Sequence, residues 1–286
     1  MGPMSDPPLV AVTGATGLLG GRVARRISAA GVAQRLLVRD PRRAPALPHS
    51  EVVRASYDDD DAVTAALRGV PLVLMVSASE TPDRVRQHTT FVDAAVAAGV
   101  RQLVYTSFAG AAPDATFTLA RDHHATEQHI LSRGLTATFL RDNLYLDFLP
   151  NLAGPDGVIR GPAGDGRVAA VAQDDIADAA VAVLRAPREH AGATYELTGP
   201  EALSLNEVAA QLTQATGRAV TYHPETVEEA YASRAGMAPD WQLDAWVSTY
   251  VAIARGELAD ITDDVERLTG RPPRSLRRLL AAAGAE

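Results

Sequence analysis

Val10-Ala11-Val12-Thr13-Gly14-Ala15-Thr16-Gly17-Leu18-Leu19-Gly20 decides the fold of this chain. An apolar, strand-like run meets three glycines at three-residue spacing, and a helical pattern follows at once in Leu18, Leu19, Val23 and Ile27. A strand, a glycine turn and a helix in this order bind a dinucleotide pyrophosphate. Gly14 makes the tight turn, Gly17 has no Cβ and lets phosphates approach the backbone, and Gly20 lets the helix pack close to the strand. The helix N-terminus offers free N–H groups and the positive end of its dipole to the anion.

A second strand, Gln34-Arg35-Leu36-Leu37-Val38-Arg39, ends about 20 residues after the glycine turn, where the adenosine ribose should lie. An acid at this strand end would accept the ribose 2′-hydroxyl. Arg39 occupies it instead, and Arg42 and Arg43 follow. A guanidinium binds a 2′-phosphate through paired, charge-assisted hydrogen bonds, which favours NADPH. Asp40 is the alternative: if the strand ends one residue later, its carboxylate serves the ribose.

Composition narrows the function further. A length of 286 residues fits one large α/β domain or a domain with a smaller partner. The net charge of −8 argues against a general nucleic-acid binder, which would need a basic face. The absence of cysteine excludes disulfides, thiol catalysis and Cys-based zinc sites. No apolar run reaches the roughly 18 residues of a membrane span, so the expectation is a cytoplasmic protein without a membrane partner. All 27 basic residues are Arg. Schiff-base chemistry and a Tyr-x-x-x-Lys pair are therefore impossible.

Strand and helix signals alternate through the first half: strands at 9–13, 34–39, 51–55, 71–76, 102–106 and 136–141, and helices at about 18–30, 59–68, 82–98, 121–133 and 143–149. Pro82 after Thr81 marks a helix start and Gly99 a stop. The acidic run from Asp58 to Asp61 suits a helix start. The pattern predicts an α/β fold: a Rossmann-type, doubly wound parallel sheet with a smaller C-terminal substrate lobe. Residues 1–8 read as a disordered leader, 9–150 as the NAD(P)-binding domain, and 151–286 mainly as the smaller lobe, with 172–198 returning to the sheet. Ser204 is placed to cap a helix over 205–216. A short strand over 219–223 and two or three helices complete the chain.

Together these segments resemble the NmrA-like group of atypical short-chain dehydrogenases, with patterns like those of NADPH:quinone oxidoreductase type 2 and triphenylmethane reductase. The resemblance covers nearly the whole chain. It runs through Val12 to Gly17, Leu37-Val38-Arg39-Asp40-Pro41, Ala95 to Val100, Val104-Tyr105-Thr106-Ser107, Asp174-Asp175-Ile176-Ala177 and Thr269-Gly270-Arg271-Pro272-Pro273. Leu119-Ala120-Arg121-Asp122-His123-His124-Ala125-Thr126-Glu127 and Phe139-Leu140-Arg141-Asp142-Asn143-Leu144-Tyr145 are its most selective parts.

The resemblance implies hydride transfer from NADPH without a Tyr-Lys pair, because Leu119 stands at the Tyr place and His123 at the Lys place. Reducing a ketone makes a strongly basic alkoxide and calls for a positioned acid. Reducing a quinone makes a delocalised anion that water can protonate. The implied acceptor is thus a quinone or related conjugated aromatic small molecule. Gly14, Thr16, Gly17, Leu18 and Leu19 would cradle the pyrophosphate and Arg39 the 2′-phosphate. Ser77 and Ala78 would lie by the adenosine-side ribose or the pyrophosphate, and Thr106, Ser107 and Phe108 would border the nicotinamide. Asn143 and Tyr145 would face nicotinamide and acceptor.

His123 would bond the nicotinamide ribose or orient water; the alternative is a helix-surface pair with Glu127. His88 reads as structural, and no metal is expected, since His123, His124 and His129 do not converge on one face. Adenine contacts near Ser56 and Tyr57 are less defined, because Ser56 departs from the acid often found there in relatives. Trp241 and Trp246 are candidates for the acceptor wall or for the core. Two other readings stay open: a tailoring reductase or isomerase acting on a polyketide-like aromatic, and a non-catalytic NAD(P)-sensing regulator. The oligomeric state is also open, with a homodimer as the expectation.

Overall fold

Val- and Leu-rich runs too short for helices become strands with both faces covered. The computed structural model describes residues 9–283; the leader 1–8 falls outside the described residues. In chain order come β1 (Val10–Thr13), α1 (Leu18–Ala29), β2 (Gln34–Val38), β3 (Ser50–Arg54), α2 (Asp60–Leu67), β4 (Leu72–Met75), α3 (Arg84–Ala97), β5 (Gln102–Phe108), α4 (Thr118–Ser132) and β6 (Thr136–Asp142). They are followed by β7 (Val158–Gly161), β8 (Arg167–Val168), α5 (Gln173–Arg185), β9 (Thr194–Leu197), β10 (Leu203–Ser204), α6 (Leu205–Thr216) and β11 (Thr221–Pro224). The helices α7 (Val227–Ser233), α8 (Asp240–Ala254), α9 (Asp264–Thr269) and α10 (Leu276–Ala283) end the described chain. None of these helices is long and apolar enough to cross a membrane.

The chain divides into two compact units. The first runs to Ser107 and resumes over His123–Leu140 and Ile176–Tyr195; the second holds Phe108–Asp122, Arg141–Asp175 and everything from Glu196 onward. The seven-stranded sheet has the order β3-β2-β1-β4-β5-β6-β9. β1 pairs in parallel with β2 on one side and with β4 on the other, Val12 lying opposite both Leu36 and Leu74. The strand order reverses between β1 and β4, and the crevice at such a switch point binds ligands beyond the carboxyl ends of the strands. In the core of the first unit Phe91, Val92, Leu67, Tyr105 and Ile130 pack beside the strand residues Val73 and Leu103. The second unit has its own core, in which the Phe108 and Phe117 rings meet at a tilt, 4.8 Å between centroids, among Leu146, Leu205, Val208 and Ile253.

Local signals explain most element ends. Asp59 caps α2 through the Ala62 amide at 3.0 Å. Ser204 and Glu207 form a reciprocal capping box on α6, and Gly217 closes that helix in the left-handed conformation. The helix expected from Pro82 begins instead at Arg84, because the Arg84 amide first closes a turn onto the Thr81 carbonyl. The helix expected over 143–149 is instead a 3-10 segment over Leu146–Leu152. Backbone bonds to Val171 from both sides hold Leu144 to Leu146 extended, and Pro150 cannot donate to a helical ladder.

Two glycines set the geometry of the first turn. Gly14 has φ +64°, a conformation that L side chains rarely adopt. A Cβ on Gly20 would lie 2.3 Å from the Gly14 carbonyl oxygen, so α1 meets the end of β1 backbone to backbone. Gly20→Ala should therefore destabilise the chain by about 1–3 kcal/mol or more. Chemical denaturation of the wild type and the variant checks this; equal midpoints would show that the turn yields freely.

Candidate functional site

The cleft of the first unit lies at the switch point. Gly14, Thr16, Gly17, Leu18, Leu19, Arg39, Ser77 and Ala78 line it, together with Tyr57, Asp58, Thr81 and Gln87. Gly17 caps α1 without a side-chain hydrogen bond, and the first turn contains no acid. Its amides are therefore available to an anion, and Leu18 is 69% exposed beside them. This donor set, with no side chain at Gly14 or Gly17 to fill the cradle, fits a dinucleotide diphosphate.

At the end of β2, Arg39 and Asp40 differ in their partners. The Asp40 carboxylate accepts from Arg42 at the backbone amide, Nε and Nη2, at 3.1, 3.0 and 2.9 Å. It caps the short turn Pro41–Arg43, and the Arg42 bonds hold its carboxyl below the usual range. Arg39 is exposed, lines the cleft and makes no hydrogen bond or ion pair among the described residues. Asp58 stands in the same lining. The Ser56 hydroxyl donates to it at 2.5 Å and, with weaker attraction from Arg86 and Arg39, holds its carboxyl below the usual range.

The opposite wall is fixed from behind. The Tyr57 hydroxyl donates to the Val76 carbonyl and sits 2.5 Å from the Thr13 hydroxyl, while the Val76 amide donates to Thr13 Oγ1 at 2.8 Å. The Tyr57 ring packs on Phe91 at 4.6 Å, and burial pushes its phenol up. The amides of Ser77 and Ala78 donate to Thr106 Oγ1 and His88 Nε2 at 2.9 and 2.8 Å.

Behind this wall lies a buried polar network. Arg84 can only donate, so its 3.0 Å contact makes His123 Nε2 the acceptor and leaves the proton on Nδ1, which donates to the Tyr105 hydroxyl at 3.0 Å. The Ala78 amide fixes His88 in the same tautomer, with Nδ1 donating to Thr126 at 2.8 Å. Ser107 donates to the buried Glu127 at 2.6 Å. His123 is thus 5% exposed, with both ring nitrogens partnered. Arg84 and His88 enter this network only in the fold, which brings α3, α4 and β5 together.

Phe108, Asn143 and Tyr145 belong to the second unit. Asn143 is buried; its amide nitrogen donates to the Leu258 carbonyl at 3.1 Å, and its oxygen accepts from the Leu144 amide at 2.7 Å. Tyr145 is half-buried on extended backbone next to Asn143. Trp241 and Trp246 are half-buried on α8.

The two buried histidines make stability depend on pH. Burial, then the Arg84 charge, pushes His88 down to about 3, and the same causes hold His123 well below its ordinary value. In the unfolded chain both titrate near 6.5. Between these limits the unfolded state binds more protons, so stability rises with pH. The contribution is complete above about pH 6.5 and is lost as the pH falls toward 3, with a slope of up to about 1.4 kcal/mol per pH unit for each ring. Thermal unfolding across this range should show the decline, and His88→Gln should make it shallower. An unchanged slope in the variant would remove His88 as its source.

Known proteins share sequence and fold with this chain. Quinone oxidoreductase 2 of Escherichia coli (strain K12) is 35% identical over 276 residues, covering 94% of this chain and 96% of its own length. The structure of an NADPH-dependent quinone oxidoreductase from Escherichia coli, complexed with NADPH, superposes with a TM-score of 0.88 at 33% identity, over 96% of this chain and 99% of that one. Triphenylmethane reductase of Citrobacter sp., complexed with NADP(H), gives 0.85 at 30% identity, over 96% and 99%. The family model for the NmrA-like family matches residues 7–241. The chain belongs to the NmrA-like family.

Proposed function

We propose that the chain is an NADPH-dependent reductase that delivers hydride to a quinone or related conjugated aromatic acceptor. The observation that carries the cofactor choice is the division of labour at the end of β2: Asp40 is consumed by Arg42, while Arg39 is left to meet a 2′-phosphate. Gly14, Thr16, Gly17, Leu18 and Leu19 then hold the pyrophosphate, and Ser77 and Ala78 lie by the neighbouring ribose. When bound, NADPH supplies the hydride. The protein's task is to hold cofactor and acceptor roughly 3–3.5 Å apart.

The chain has no lysine, and Leu119, at the place of a catalytic tyrosine, is buried in the apolar core of the second unit. No strong acid is therefore set up there for a nascent alkoxide, which supports an acceptor whose reduced form is a stabilised anion or a neutral molecule. The related reductases that act on quinones and triphenylmethane dyes support the same class. The same reading places the protein in the cytoplasm, where NADPH is supplied.

Two measurements test this. In fluorescence titrations NADPH should bind more tightly than NADH, and Arg39→Ala should cost roughly 1.5–3 kcal/mol of NADPH affinity while leaving NADH nearly untouched. Equal affinity for both cofactors in the wild type would refute the phosphate role. In turnover assays the chain should oxidise NADPH with quinones at rates far above those with simple ketones. Binding of NADPH with no turnover on any quinone would point instead to a sensor.

A further inference from the structure

Where the chain leaves β4, three consecutive amides turn to side-chain acceptors. Val76 donates to Thr13 Oγ1 at 2.8 Å, Ser77 to Thr106 Oγ1 at 2.9 Å and Ala78 to His88 Nε2 at 2.8 Å. Thr13 on β1, Thr106 on β5 and His88 on α3 are all buried. Successive amides on a turn can form an anion-binding hollow. Here the protein's own acceptors fill it, so none of these three amides is left for a phosphate. The diphosphate falls to the uncapped amides of α1.

His88 sets the last of these peptides. A trans peptide carries its N–H and C=O on opposite sides, and no described peptide bond is cis. The Ala78 amide runs to the buried His88, so the Ser77 carbonyl of the same peptide faces away from it. That carbonyl accepts no hydrogen bond among the described residues, whereas the Val76 carbonyl before it accepts from the Tyr57 hydroxyl. Ser77 and Ala78 line the cleft. The imidazole is itself held in register: Nδ1 donates to Thr126 at 2.8 Å, and the ring lies at 76° to that of Tyr105 and 65° to that of Tyr57. One lone pair aimed at one amide fixes the orientation of that peptide.

We propose that His88 is a positioning residue for the cofactor: by holding the Ala78 amide it turns the Ser77 carbonyl to the cleft, and so makes this wall an acceptor for a ribose hydroxyl and closes it to phosphate. This rests on the cofactor reading above. In NADPH the adenosine ribose carries its phosphate at the 2′ position, so its free donor is the 3′-hydroxyl. The cleft is thereby polarised, with amides on the α1 side for the diphosphate and a carbonyl on the β4 side for the sugar. Without the imidazole acceptor the Ala78 amide would be buried and unsatisfied, a costly state. The peptide between Ser77 and Ala78 would then gain by rotating its N–H to the cleft, and the acceptor for the ribose would be lost. His88 acts through the backbone and not on the cofactor itself.

Two ligands that differ only in that hydroxyl separate this role from general support of the fold. Adenosine 2′,5′-bisphosphate should bind the wild type roughly threefold to tenfold more tightly than its 3′-deoxy counterpart, the worth of one hydrogen bond. In His88→Leu the two ligands should bind equally. His88→Gln, whose side-chain oxygen can stand where Nε2 stood, should restore the wild-type ratio. In isotope-labelled wild type, NMR should show a scalar coupling across the hydrogen bond between the Ala78 amide nitrogen and His88 Nε2. A wild-type ratio of one, a ratio that survives in His88→Leu, a folded His88→Gln that does not restore it, or the lack of that coupling would overturn the inference while NADPH binding stays intact. The wild-type ratio and the coupling need no variant, so they decide the question even if His88→Leu fails to fold. A wild type that binds neither NADPH nor the adenosine ligands would overturn the cofactor reading itself, and the inference with it.

Discussion

The contact between α1 and the end of β1 is the constraint on which the cofactor half depends. Where a Cβ at residue 20 would sit, the Gly14 carbonyl oxygen is already 2.3 Å away, so two pieces of main chain touch with nothing between them. That approach aims the uncapped amides of α1 into the crevice at the strand-order reversal. An anion there meets aligned dipoles that need no rearrangement. The facing wall is equally fixed, because Val76, Ser77 and Ala78 have their amides committed to Thr13, Thr106 and His88.

Charge is placed by the same economy. Arg42 neutralises Asp40 on the surface and leaves Arg39 to the cleft. Deeper in the first unit Arg84 is 5% exposed and meets the lone pair of His123 at 3.0 Å. Permanent donors at Arg84 and the Ala78 amide impose one hydrogen-bond direction on both histidines, so the network behind the wall holds position and does not titrate near neutrality. In the second unit the buried Asp142 is the opposite case, a carboxyl that burial holds well above its ordinary range.

Much of this was legible in the sequence because its causes are local. The glycine turn spans only Gly14 to Gly20, and the Asp59 cap and the capping box of Ser204 and Glu207 each join residues three apart. The Asp40 cap was legible in principle too, since Asp followed by Pro is a helix-start signal. The stretch 143–149 misled because Val171, distant in sequence, holds Leu144 to Leu146 extended. His88 read as structural, but its acceptor role toward Ala78 exists only once α3 packs behind β4. The burial of Asp142 is recorded by no periodicity or spacing in the sequence.

The interleaving of the two units bears on how the chain is made. Residues of the first unit extend to Tyr195, with two stretches of the second unit threaded between them. On a ribosome the nucleotide-binding unit cannot be completed when its glycine turn and first four strands emerge. It must wait until about two thirds of the 286 residues have been synthesised. Until then Ala137 to Leu140 of β6 lack the backbone partners near residue 193, such as the Ala193 carbonyl that receives the Phe139 amide. The nascent chain therefore carries an unfinished sheet edge, the feature that invites pairing with other chains. Arg- and Asp-rich surface segments such as 39–43 and 58–61 emerge early and supply charge during that interval.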